Sequence, residues 1–212
     1  MARSQRVDLA ELLRSLSEGA VPEDEVTSRI LDSAQELFAH HGLRRCTIDE
    51  IAEQSGLGRT TVYRRFEGRS QLITAVLARE CRRFFGSIFL ATAHLDRAED
   101  AVVEGLLTGL RSAESSLLSE LVRTEPEVLR LLTVDGGPII AVAREFLVHA
   151  SGVGGDAASR RQVQVVAEVL VRLAISFVAD DRSVIALDDP DQARADLHAL
   201  LDPILEPLSA LR

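Results

Sequence analysis

Lysine and tryptophan are absent from the 212 residues, tyrosine occurs once and cysteine twice. Each scarcity removes a class of protein. Cys46 and Cys81 are too few for a disulfide scaffold, and no ladder of cysteine or histidine surrounds them to hold zinc, so no metal is expected. Aromatic residues make up only 4%, and alternation of apolar and polar residues with period two is rare, so strands are not expected. The most apolar stretch, 163–179, is interrupted by Glu168 and Arg172. It falls short of the roughly 18 uncharged residues of a membrane span, which predicts no membrane association. Met1-Ala2-Arg3-Ser4-Gln5-Arg6 leads to Asp8 and Glu11 without the apolar core of a secretory signal, which predicts a cytoplasmic protein with reduced, inert thiols. No Ser/His/Asp set, paired carboxylates or HExxH names a catalytic centre, so neither an enzyme nor a cofactor is expected. Glu36 with His40 and Glu145 with His149, each at i,i+4, read as helix-surface contacts rather than metal ligands.

What is present is a folded chain, 46% hydrophobic and 27% charged, with a net charge of −9. That sum hides an asymmetry. Residues 1–25 carry −3, residues 26–85 carry +3 and residues 86–212 carry −9, so the positive charge is confined to one short segment. All 24 basic residues are arginine.

The apolar spacing predicts an all-α fold. Leu9, Leu12, Leu13 and Leu16 form one stripe of a short helix in an N-terminal arm, 1–24, that breaks at Gly19-Ala20-Val21-Pro22. A helix over 25–41 turns Ile30, Ala34, Leu37, Phe38 and His41 inward and stops at Gly42. Thr47-Ile48-Asp49-Glu50 is a capping box, in which the Thr47 hydroxyl accepts from the Glu50 amide and the Glu50 carboxylate accepts from the Thr47 amide. The helix it starts ends at Ser55-Gly56. After Gly56-Leu57-Gly58 a second short helix, 59–66, turns Val62 and Phe66 inward. Two short helices about a glycine-bearing turn make a helix-turn-helix, within a unit of residues 25–69. Ser70 is expected to cap a long helix to about residue 91. Further helices follow over 97–111, 114–123, 126–133, 138–149, 157–179 and 191–205, in one C-terminal domain, 70–212.

With Val62 and Phe66 inward, the helix 59–66 exposes Arg59, Thr60, Tyr63 and Arg64, with Thr61 and Arg65 on its flanks. An arginine can bond both acceptors of guanine in the major groove, while threonine and tyrosine bond phosphates or touch the thymine methyl. Arg44, Arg45 and Arg69 lie in the turns on either side, where they can clamp phosphates. These residues point to double-stranded DNA as the partner.

Residues 29–72, from Arg29-Ile30-Leu31-Asp32 through Thr47-Ile48-Asp49-Glu50 and Gly58-Arg59-Thr60-Thr61-Val62-Tyr63-Arg64-Arg65-Phe66 to Leu72, closely resemble the DNA-binding domain of the TetR (tetracycline repressor) family. The resemblance implies a one-component regulator. Such a protein is a homodimer with an N-terminal three-helix reading head and a C-terminal helical domain that dimerises and binds a small molecule. It also implies base contacts from Arg59, Thr60 and Tyr63, and phosphate contacts from Thr47, Thr61, Tyr63, Arg65 and Arg69. Three residues depart from the family pattern: Gly58 replaces a capping serine, Thr60 a small residue and Arg69 a lysine.

Beyond residue 90 the resemblance extends only to general layout, and the chain has to be read from its apolar positions. Phe84, Phe85, Ile88, Phe89, Leu106, Leu110, Leu118, Leu121, Val122 and Phe146 are expected to line a cavity for a largely apolar effector, with Arg111 or Arg123 available to an anionic head. The helix 157–179 is apolar around nearly its whole circumference, so a second surface must cover it. Pairing with the last helix through Leu197, Leu200, Leu201 and Leu205, and with the same two helices of a second copy, predicts a four-helix dimer interface. Val166, Leu170, Leu173, Phe177, Leu197 and Leu201 are its expected contacts. The reading that results is a ligand-responsive repressor on a palindromic operator. The alternative is an effector-independent DNA-binding protein whose C-terminal bundle serves assembly alone.

Overall fold

A computed structural model describes residues 23–114, 116–151, 156–180, 184–185 and 187–209. The expected arm helix near the N-terminus lies outside them. Among the described residues every regular element is a helix: α1 Glu25–Arg45, α2 Ile48–Ser55, α3 Arg59–Arg65, α4 Arg69–Thr92, α5 Ala98–Glu114, α6 Leu117–Thr124, α7 Pro126–Thr133, α8 Gly137–Ala150, α9 Ala157–Ala179 and α10 Pro190–Ser209.

The chain divides into two compact units, one formed by residues through Arg83 together with Ser116–Pro126, the other by Phe84–Ser115 with Glu127–Arg212. The division departs from the expected boundary at residue 70. It falls inside α4, and α6 joins the first unit by packing on α1 with Leu117, Leu121 and Val122 buried.

In the first unit Ile30, Ala34, Leu37 and Phe38 of α1 recur at the spacing of one helical face and are buried, as are Ile48, Ile51 and Ala52 of α2, Val62 of α3, and Leu72 and Val76 of α4; α1 packs on α2, and α2 on α3. Each large apolar side chain fully buried there contributes roughly 1.5 to 3 kcal/mol. His41, expected on that face, is exposed. Gly42 does interrupt α1, with φ 76° and ψ 163°, but the chain resumes helical geometry for a last turn to Arg45. Glycine is favoured there because the backbone, at φ 76°, is strained for any other residue; a Cβ would also sit 2.8 Å from Oε1 of Glu125, the end of a flexible side chain that can swing aside. Ser70 falls inside α4, which starts one residue earlier than expected, and the Glu67 amide donates to Oε1 of Gln71 at 2.6 Å.

In the second unit α10 packs along α5, and α9 packs on α5, α8 and α10. Val103 and Leu107 of α5, Val148 of α8, Val163 and Ala167 of α9, and Ala193, Leu197, Leu201 and Leu205 of α10 form its core. By length and composition α9 is apolar enough to cross a membrane despite Glu168 and Arg172, yet only 17% of its most apolar stretch is buried within one chain. Glu168 is held by Arg144 of α8 at 3.0 Å and by Arg172 at 2.9 Å, and these two guanidinium groups, Arg172 first, keep its carboxyl below the usual range.

Leu197 and Leu201 therefore do not form the expected outer surface. They are 0% and 2% exposed, facing α5 of their own chain, and Leu205 is buried with them. Val166, Leu170 and Leu173 are half-buried and packed against the same core. Phe177 is half-buried too. On α9 and α10 the large apolar side chains that face solvent are Val165 and Val169 and Leu200 and Ile204, each close to half exposed. Residues 193, 197, 201 and 205 repeat every four positions along the inner side of α10, and this row takes the leucines that a second surface was expected to use.

Candidate nucleic-acid interface

The reading motif is set by local chemistry. The capping box forms in full: the Glu50 amide donates to the Thr47 hydroxyl at 3.3 Å, and the Thr47 amide donates to the Glu50 carboxylate at 2.7 Å. The bond from the Thr47 amide, and after it one donated by the Thr47 hydroxyl, hold the Glu50 carboxyl below its ordinary range. At the other end of α2, Gly56 takes a left-handed conformation, φ 65°, and returns its amide to the carbonyls of Ala52 and Glu53. Arg29 of α1 donates to the Ser55 carbonyl at 2.6 Å, and Gln54 of α2 donates to Glu36 of α1 at 2.6 Å, so α1 clasps the helix just before the turn.

Gly58 then opens α3 with no side-chain cap, and Val62 anchors the helix at 0% exposure while Phe66 closes it at 7%. Those two anchors decide which side faces outward. Arg59, Thr60, Tyr63 and Arg64 are exposed, as is Arg65, and Thr61 is half-buried.

The remaining candidates divide by what already engages them. Arg59 Nε sits 2.6 Å from Oδ1 of Asp49 on the first turn of α2. Arg65 pairs with Asp24, the residue whose carboxylate caps α1 by accepting from the Thr27 amide at 2.8 Å. Thr27 is the main cause, and Arg65 a further one, of an Asp24 carboxyl held below its usual range. Arg69 Nε donates to the Cys46 carbonyl at 2.7 Å, tying the start of α4 to the segment before α2. The Thr47 hydroxyl, expected to meet a phosphate, donates to Glu50 at 2.8 Å. Arg45 is exposed, and the side chain of Arg44 lies outside the described residues.

Residue-by-residue reading missed the acids. Asp49 and Asp24 register in sequence only as helix-start residues, yet each holds an arginine of the outward row. Cys46, 1% exposed, has its thiol pushed up to about 11 by burial and by the Glu50 charge. Burial and the Glu80 charge push Cys81 to about 11 as well.

The expected cavity residues do not all share one environment. Phe84 meets Phe85 edge-on at 5.4 Å between ring centres, and Phe85 lies 4.4 Å from Phe146. Phe84 and Ile88 rest against Gly109 of α5, and Leu110 is buried in the same unit, with Leu106 half-buried. Phe89, one turn beyond Phe85 and well round the helix axis from Phe84 and Ile88, is 56% exposed. Leu121 and Val122 are buried in the first unit, and the Leu118 side chain lies outside the described residues.

Comparisons with known proteins place this architecture. Residues 30–76 match the model of bacterial regulatory proteins of the tetR family, and residues 97–203 match that of the bacterial tetracyclin repressor C-terminal domain. The chain is 29% identical to the HTH-type transcriptional regulator AlkX of Mycobacterium tuberculosis, covering 97% of this chain and 93% of that protein. It is 32% identical to the HTH-type transcriptional regulator SrpR of Pseudomonas putida over 49% of this chain and 48% of that one. Among solved structures, a TetR family repressor AlkX from Dietzia sp., implicated in biodegradation of n-alkanes, superposes with a TM-score of 0.61 and 27% identity, covering 85% of this chain and 98% of that one. The two matched segments, and the exposed arginine-bearing helix between its buried anchors, make this chain a member of the TetR family of bacterial regulatory proteins, a DNA-binding transcriptional regulator.

Proposed function

We propose that the protein is a cytoplasmic, homodimeric repressor that occludes a near-palindromic operator and releases it when an apolar small molecule enters the second unit. The observation that carries the DNA part is the row Arg59, Thr60, Tyr63 and Arg64, outward on α3 and opposite buried Val62 and Phe66. Arg59, Thr60 and Tyr63 read bases; Thr47, Thr61, Tyr63, Arg65 and Arg69 contact phosphates, with Arg44, Arg45 and Arg64 beside them. Replacing Arg59 by alanine costs about 1 to 3 kcal/mol per half-site and relaxes one operator position, whereas Arg45→Ala weakens all sequences alike. Titrations on specific and scrambled duplexes at several salt concentrations separate the two roles, and an Arg59 variant with unchanged sequence preference removes it from base reading.

The dimer uses the exposed stripe Val165, Val169, Leu200 and Ile204, whose burial against a second copy also hides the apolar side of α9. Two reading heads about 34 to 36 Å apart then meet successive turns of one DNA face. A monomer at micromolar concentration in sedimentation contradicts this.

The effector is a long aliphatic molecule, an alkane or a fatty acyl compound. Support comes from the apolar character of Phe84, Phe85, Ile88, Leu106, Leu110 and Phe146, and from the likeness, over 85% of this chain, to a repressor implicated in n-alkane biodegradation. It acts only by binding the released state more tightly, with a coupling of about 1 to 3 kcal/mol. Thermal-shift screening with alkanes and fatty acids, followed by DNA release, tests it. If none of these compounds alters DNA binding, the effector-independent reading replaces this one.

A further inference from the structure

We propose that Asp49 is a specificity-determining residue, a positioning carboxylate that holds Arg59 with its terminal fork presented to guanine. The inference rests on Arg59 reading a base. A guanidinium has five N–H donors: one on Nε and four on the two Nη atoms. The pair facing outward from Nη1 and Nη2 matches the O6 and N7 acceptors of guanine, but only if the long side chain is aimed there. Asp49 Oδ1 lies 2.6 Å from Nε, so the carboxylate engages the guanidinium on its Nε side and leaves the Nη1/Nη2 end to face the groove. The partners sit on different helices. Arg59 is the first residue of α3, and Asp49 lies in the first turn of α2, which is anchored by the Thr47–Glu50 box and by burial of Ile48 and Ile51. The backbone that carries the carboxylate is thus anchored to the core, while the side chains of Arg59 and Asp49 are 67% and 48% exposed.

An exposed ion pair of this kind adds little to stability. Its effect lies in direction. Held this way, Arg59 is biased away from the nearest phosphate, where it would give affinity without discrimination. A carboxylate facing a polyanion also lowers affinity for every sequence. Removing Asp49 therefore acts with opposite signs on two quantities: general DNA affinity rises, and discrimination at the base pair read by Arg59 falls. A residue that merely supported the fold lowers both.

The test uses the full-length protein and a pool of duplexes with randomised bases, from which the wild type, Arg59→Ala, Asp49→Ala and Asp49→Asn each select sites. Affinities for the selected site and its single-base variants are then measured at two salt concentrations. Arg59→Ala identifies the position read. Asp49→Ala is expected to lower guanine preference there by at least about fivefold, within the range of a lost bidentate contact, while raising affinity for scrambled DNA. Asp49→Asn, which keeps an acceptor for Nε without the charge, shares the rise in scrambled-DNA affinity and retains most of the preference. In the Arg59→Ala background, Asp49→Ala leaves preference unchanged. Wild-type preference in Asp49→Ala, at a position that Arg59→Ala abolishes, overturns the inference about Asp49 and leaves base reading by Arg59 standing. Unchanged preference in Arg59→Ala overturns both.

Discussion

The outer side of α3 carries Arg59, Thr60, Tyr63 and Arg64 above buried Val62 and Phe66, whereas the outer sides of α9 and α10 carry Val165, Val169, Leu200 and Ile204 above buried Ala167, Leu197 and Leu201. Underneath, the two regions are built alike, from apolar side chains three or four residues apart pressed into a core. They differ in what the opposite side offers. Donors in a fixed array suit a polyanion with its own acceptors, while an apolar stripe gains only by leaving water. A helix in this chain thus has one face set by folding and another set by its partner, and substitutions separate the two.

The largest effect is expected where the folding face is cut. Leu197→Ala removes a side chain with 0% exposure and costs about 2 to 5 kcal/mol of stability, while Leu200→Ala, three residues along and 51% exposed, costs within about 0.5 kcal/mol at protein concentrations too low for association. Urea denaturation over a range of concentrations checks both. Equal losses for the pair in dilute solution break the distinction between inner and outer faces.

In the reading head the corresponding loss is smaller because it concerns a cap. Thr47→Ala removes the hydroxyl that accepts from the Glu50 amide and costs about 0.5 to 2 kcal/mol. It also changes the acid limb. The Glu50 carboxyl, lowered from 4.5 by its bonds to Thr47, contributes stability that is fully present above pH 4.5 and lost as pH falls through the lower folded value. Thr47→Ala reduces that contribution, so its stability falls less steeply with acid than that of the wild type.

A change of a few tenths of a kcal/mol, in the stabilising direction, is expected from Gly58→Ser, which supplies the missing cap of α3. The backbone allows it, with φ −70° and nothing within 4 Å of the new Cβ. Thermal melts resolve the gain, and a loss of stability shows that the turn needs glycine for another reason. The smallest expected effect is none. With both thiols raised to about 11, the thiolate at pH 7 is on the order of one part in ten thousand. Mild peroxide treatment at neutral pH therefore leaves DNA binding unchanged, which retention of a labelled duplex measures.

Helix α2 and the turn after it were legible because their signals are short-range: Thr47 and Glu50 are three residues apart, and Gly56 closes the helix on its own backbone. The limits of α7 and α9, 126–133 and 157–179, also coincide with those expected from the sequence; in the structure Pro126 opens α7, and the Asp156 side chain caps α9 by accepting from the Ser159 amide. Capping chemistry and apolar period act within one or two turns, so the amino-acid order alone determined that the protein is helical, where α2 and α3 begin, and that Arg59, Thr60, Tyr63 and Arg64 share a solvent face. The tertiary structure decided which leucines of α10 a neighbour in the same chain would take, that α6 would pack on α1, and that Phe89 would turn away from Phe84 and Ile88. It also brought Asp49 to Arg59. A helix that is apolar on several sides satisfies its period at more than one rotation about its axis. Only the surfaces it meets, through burial summed over many contacts, select one of them.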